Sequence, residues 1–173
     1  MSIEFPAPTV PAADRADVFL DYLGYFRETV IAKVAALPEA DRRTSRLPSG
    51  WTPLELVKHL RHMERRWIEW GFQGAPIPDP WADRENARLD ARWHVDPTET
   101  AESLIAGLRA QARHTDEVVR TTDLATVGRP GPRWDGAPPA TLERILFHMF
   151  QEYARHAGHL DIVAELAGGA TGE

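Results

Sequence analysis

There is no cysteine among the 173 residues. Disulfides, thiolate zinc sites and thiol nucleophiles are thereby excluded, and any metal has to be held by nitrogen and oxygen. An excess of positive charge is missing as well: Lys and Arg total 20 against 26 Asp and Glu, for a formal net charge of −6. The basic residues are scattered, so the electrostatic footprint of a phosphate backbone is not there and nucleic acid is not an expected partner. Long apolar runs are absent too. No stretch approaches the length of a membrane span. The opening "MSIEFPAPTVPAADRAD" has no basic start followed by an apolar run. No membrane partner is expected, and the expected address is the cytoplasm.

What is present is ordinary for a globular protein, with 43% hydrophobic and 27% charged residues. The length suits one domain with a substantial core, spanning residues 1–173, of which 1–13 form a proline-rich irregular lead-in. Apolar residues then recur at Phe19, Leu23, Phe26, Val30, Val34 and Leu37, which is helical spacing, and Pro38 ends that helix. "WTPLELVKHLRHMERRWIEWGF" opens with Thr52, Pro53 and Glu55, a capping box, and runs to Trp70 with Gly71 as its stop. A similar device, Asp96, Pro97 and Glu99, starts a third helix, and Thr141 caps a fourth that ends near Gly168 and Gly169. Between the second and third lies a long connection, and "VGRPGPRWDGAPPA" admits no regular element. Four long amphipathic helices, two long crossovers and no alternating strand predict an all-α four-helix bundle.

The stretch "FHMFQEYARHAGHLDIV" places His148, Glu152, His156 and His159 on the fourth helix. At about 100° per residue, Leu142, Met149, Tyr153 and Leu160 centre the apolar arc, with Ile145 and Val163 to one side. Glu152 and His156 straddle that side, and His148 and His159 fall nearer the polar boundary. A carboxylate facing a core is costly without a compensating cation or strong donors. Side chains four apart lie one above the other, so Glu152 and His156 can offer an oxygen and a nitrogen to one point.

On the second helix Leu56, Val57, Leu60, Met63, Trp67 and Trp70 face inward. His59 lies at the edge of that arc, and His62 falls among Lys58, Arg65 and Glu69. Two imidazoles and a carboxylate from facing helices are a ligand set for zinc, nickel, iron or manganese that leaves positions open for water or substrate. Hydrogen-bonded core histidines and a plain surface Glu–His pair would produce the same spacing. His62, His94 and His114 read as ordinary solvated residues.

The chain resembles the DinB-like four-helix bundles, in the actinobacterial branch related to mycothiol-dependent enzymes such as maleylpyruvate isomerase. The resemblance covers nearly the whole chain and rests on "SGWTPLELVKHLRHMERRW", with a Trp eight residues before the histidine, and on "EYARHAGHLDIVAELAGG". It implies a divalent metal held by one histidine of the second helix and a pair four apart on the last, positions that match His59, Glu152 and His156. It also implies thiol chemistry: mycothiol or a related low-molecular-weight thiol, bound to the metal, attacks an electrophile. His148, His159 and Asp161 are candidates for orienting the ligands or lining the mouth, with a surface ion pair the stronger reading for Asp161. No counterpart of the isomerase's extra C-terminal domain is seen, so that enzyme's substrate is not carried over.

Loop residues Trp81, Arg84, Arg88, Trp93, Arg133 and Trp134 could line a pocket, or simply pack the crossovers down. The expected function is a metal-dependent thiol S-transferase. The alternatives are a metal-dependent hydrolase on the same scaffold and a non-catalytic metal-binding bundle. Family members commonly dimerise through outer helix faces, and Phe19, Tyr22, Tyr25 and Phe26 would serve a homodimer or a core stripe equally well.

Overall fold

Local sequence signals account for most helix boundaries in the computed structural model, which describes residues 4–77 and 94–169. Helix α1 (Arg15–Ala36) starts where the Asp14 side chain accepts the Asp17 N–H at 3.0 Å. After Pro38 comes the one-turn helix α2 (Glu39–Arg42). Helix α3 (Pro53–Arg65) opens with the expected reciprocal cap, the Thr52 N–H donating to Glu55 at 2.7 Å and the Glu55 N–H to Thr52 at 3.3 Å. Helix α4 covers Ala101–Thr121 and helix α5 Leu142–Leu166. Helix α5 ends as expected at Gly168, whose φ of 75° suits a residue without Cβ, and the Gly169 N–H closes onto the Ala164 carbonyl at 2.8 Å. Among the described residues there is no strand, only an isolated bridge between Val127 and Thr141.

A short 3-10 helix over Pro132–Trp134 forms inside the segment read as admitting no regular element, and two of the long helices also differ from expectation. The third long helix starts one turn later than Asp96, at a Thr100 cap reciprocated by Ser103. Asp96 is used instead to close a turn, accepting from the Thr98 N–H at 2.8 Å, and the Glu99 carboxylate is engaged by Lys58 at 2.7 Å. The second departure is that α3 passes into a π-helix over Arg66–Phe72. The wider turn shifts the inward phase by about one residue. Ile68 (0% exposed) and Phe72 (8%) therefore reach the core, leaving Trp67 and Trp70 half-buried.

Helix α1 packs extensively on α5, and α3 on α4; the two pairs then meet along a less extensive seam. Leu23, Val30 and Val34 of α1, Leu54 and Leu60 of α3, Leu108 of α4 and Leu146, Met149 and Leu160 of α5 are fully buried across it. On the α1–α5 surface, Tyr22 and Phe26 pack edge-on against Phe150, and Phe5 of the lead-in covers Tyr22 and Tyr25. Among the described residues, no helix is long and apolar enough to cross a membrane.

Candidate metal centre

The open side of the seam between α3 and α5 brings His59, Glu152 and His156 together. One ligand atom from each lies within 4.8 Å of the others, the only such group of three or more among the described residues. Glu152 Oε2 stands between two imidazoles, 3.2 Å from His156 Nε2 and 3.6 Å from His59 Nε2. The two rings meet edge-on with centroids 4.9 Å apart. Donors bound at about 2.0–2.2 Å in tetrahedral array stand roughly 3.3 Å from one another, so the two Glu152–imidazole spacings suit a divalent ion, while the three donor atoms together, within 4.8 Å, would have to draw closer around it.

The electrostatics suit a cation as well. Glu152 is held well below the usual carboxylate range, chiefly by hydrogen bonding from His156 and His59, against the opposing effect of burial. Burial lowers the pKa of His59, with His156 and Arg66 adding to the effect. An ionised carboxylate beside a neutral imidazole is a donor set with lone pairs to give.

His159 Nδ1 lies 3.4 Å from His156 Nδ1, behind the ring and away from Glu152. Trp51, the tryptophan that precedes His59 by eight residues, stacks on His159 with centroids 6.0 Å apart. The two halves of the sequence resemblance thus meet at one point, with Trp51 and His159 buttressing His156. At the mouth, His148 Nε2 is 3.7 Å from Glu152 Oε1, and its ring packs on Trp67 at 4.7 Å. Burial lowers the His148 pKa, helped by Arg133 and Arg66.

Arg133 sits 4.2 Å over the Trp67 ring, and Trp134 packs beside it. Both pack over Gly71, where a Cβ would meet Arg133 and Trp134 at an ordinary contact distance of 3.5 Å. Asp161 is turned elsewhere and ion-pairs with Lys33 of α1, the surface pairing weighed for it from sequence. Trp81, Arg84, Arg88 and Trp93 lie outside the described residues. Of the histidines expected to be solvated, His94 is exposed. His114 is half-buried and bonds Gln73 at 3.0 Å, and His62 is half-buried among cations.

Deeper in the seam is a cluster that the sequence reading missed. Glu64 of α3 is fully buried. It accepts from Arg27 of α1 at 2.8 and 3.0 Å, from the Thr115 hydroxyl of α4 at 2.6 Å and from the Tyr153 hydroxyl of α5 at 2.5 Å. The second arm of Arg27 reaches Asp116 at 2.7 Å. Burial opposes the Arg27 charge, but Glu64, Tyr153 and Asp116 raise its pKa above the ordinary arginine value. A signal was available: Glu64 is four residues after Leu60 and Arg27 four after Leu23, so each interrupts an apolar stripe with a charge of opposite sign.

No curated protein matches the chain. Among solved structures it is similar to YfiT from Bacillus subtilis, described as a probable metal-dependent hydrolase with an unusual four-helix bundle topology. The identity is 17%, the TM-score 0.63, and the match covers 96% of this chain and 95% of that one, which establishes the shared bundle fold. The family model for mycothiol S-transferase matches residues 18–169, a span that begins within α1, takes in Trp51 and all three candidate ligands, and ends at the Gly169 stop. Bundle, tryptophan and ligand spacing all fall inside that one match, and the chain belongs to the mycothiol S-transferase family.

Proposed function

We propose that this protein is a divalent-metal-dependent S-transferase that joins a low-molecular-weight thiol, mycothiol or a close relative, to an electrophile. The observation that carries this reading is the convergence of His59, Glu152 and His156 within 4.8 Å in a chain with no cysteine. The sulfur must come from a co-substrate. A divalent ion in the site would supply a Lewis acid that lowers the thiol pKa, so that the proton is lost to solvent and the sulfur is nucleophilic at neutral pH.

The protein's own contribution is placement. His59, Glu152 and His156 would hold the ion from two facing helices. His159 fixes the His156 ring through its second nitrogen, as outer groups do for metal-bound imidazoles. Trp67, Arg133 and His148 wall the mouth, giving a bound thiol aromatic and cationic surfaces to lie against.

Purified protein loaded with Zn(II), Mn(II), Ni(II) or Fe(II) is expected to conjugate a thiol to an alkylating electrophile faster than metal-free protein does. Glu152→Ala should abolish that acceleration. No rate above the metal-free control, across several thiols including mycothiol, would defeat the proposal. A second reading, metal-assisted hydrolysis, draws support from the description of YfiT; it predicts turnover of ester or amide substrates that persists when no thiol is present.

A further inference from the structure

The two ligand-bearing helices are not tightly packed on each other. Helix α5 rests mainly on α1, and α3 on α4, while direct α3–α5 packing is comparatively slight. Yet the site needs His59 on α3 and Glu152 on α5 to share one ion. Rotating a helix by about 10° moves a side-chain end some 6–7 Å from the axis by about 1 Å. Metal–ligand distances in a formed site stay within about 0.2 Å of their ideal values. Aliphatic packing alone, which accommodates repacking and small shifts, is a poor guarantee of such a rotation.

The polar cluster beneath the site supplies what the packing does not. Tyr153 follows Glu152 directly, and Glu64 is five residues after His59, so the 2.5 Å bond from the Tyr153 hydroxyl to Glu64 ties the two ligand helices together within about a turn and a half of their ligands. The acceptor is itself immobilised: Arg27 grips the Glu64 carboxylate through two nitrogens, and Thr115 bonds its other oxygen. Glu64, Tyr153 and Thr115 are all 0% exposed, so water cannot substitute for a lost bond among them without entering the core. The cluster approaches solvent only at its far end, where Asp116 and Arg27 line an α1–α4 groove of about 250 Å³ on the side of the seam away from the ligands.

We infer that Tyr153 is a positioning residue for the metal centre, its hydroxyl bond to Glu64 setting the rotation of α5 that brings Glu152 and His156 to His59. This inference rests on the metal reading above and adds a residue that touches neither ion nor substrate.

Thr115 provides the control. It donates to the same carboxylate at 2.6 Å, but from α4, which carries none of the three ligands. Affinity for Co(II) and Zn(II) is to be measured by titration well below the unfolding temperature, together with the Co(II) visible spectrum, for wild type, Tyr153→Phe and Thr115→Val. Both variants should lower the melting temperature to a similar degree. Only Tyr153→Phe should weaken metal binding, by about tenfold or more, and alter the Co(II) bands; Thr115→Val should stay within about twofold of wild type.

Equal affinities and spectra in Tyr153→Phe and wild type, or equal weakening in both variants, would overturn the inference while leaving the metal reading intact. A wild-type chain that takes up no Co(II) or Zn(II) would defeat the metal reading and this inference with it. Should Tyr153→Phe not fold, Glu64→Gln, which keeps an oxygen for the Tyr153 hydroxyl, is expected to retain near wild-type affinity despite a lower melting temperature. A tenfold loss there would count against the bond as the determinant.

Discussion

Arg27 shows how much a single side chain can carry in this bundle. It is 3% exposed and neutralises a carboxylate that is entirely buried. Removing one partner of such a pair strands the other's charge, so Arg27→Met is expected to cost about 3–5 kcal/mol in urea unfolding. The double variant Arg27→Met/Glu64→Gln should be less damaged than Arg27→Met alone, because the stranded charge goes while the amide oxygen still accepts from one of the two hydroxyls and the amide NH2 can donate to the other. A double variant at least as unstable as the single one would contradict this account of Glu64.

His62 presents the opposite case, a group that folding keeps neutral. Burial, reinforced by Arg61, Arg65 and Lys58, lowers its pKa from 6.5 to about 4. The unfolded chain therefore binds a proton more readily than the folded one between those values. The His62 contribution is fully present above pH 6.5 and is lost as the pH falls toward 4. Stability measured from pH 7 to 4 should fall less steeply in His62→Gln than in wild type; parallel curves would refute the assignment. The sequence placed His62 on a polar face beside Lys58 and Arg65, but it could not show that the ring there is half-buried.

At the scale of elements, the start of α4 separates two superficially similar signals. Both Asp96 with Glu99 and Thr100 with Ser103 match an opening pattern, and the chain uses the second pair for the helix. Thr100→Ala should thus destabilise the protein by about 1 kcal/mol. Asp96→Ala, which loses only an exposed turn contact, should destabilise the protein less than Thr100→Ala by thermal or urea unfolding. A reversal of that order would restore the earlier start. The π-helix after α3 is a second element that spacing did not reveal. An α-helical wheel assumes a constant 100° step, and the wider turn changes the phase just where Trp67 is set against His148.

For the whole molecule, the metal reading predicts linkage between ion and fold. An ion that binds only the folded chain stabilises it by about 2.7 kcal/mol at a hundredfold excess over Kd. In a protein of this length that corresponds to a rise in melting temperature of roughly 5–10 °C. Calorimetry with and without Zn(II) should show the shift, a chelator should reverse it, and Glu152→Ala should not respond. The fold shared with YfiT and the family match over residues 18–169 set the frame in which these thermal data are read.

The amino-acid sequence by itself determined the four long helices, the Thr52 and Thr141 caps and the glycine stop of α5, because these depend on neighbours three to five residues away, though not the start of α4 or the π-helix. It also determined that Glu152 and His156 share a face, since an i, i+4 pair on a helix leaves little choice. Which groups meet across helices was decided only in the tertiary structure. Glu64 finds Arg27 and Tyr153 at sequence separations of 37 and 89 residues, and His159 finds the back of His156 while Asp161, two residues on, turns to Lys33. Those meetings depend on the rotation of each helix about its own axis. Apolar periodicity locates that rotation only to the width of a stripe, whereas a hydrogen bond or a shared ion requires it to within an ångström.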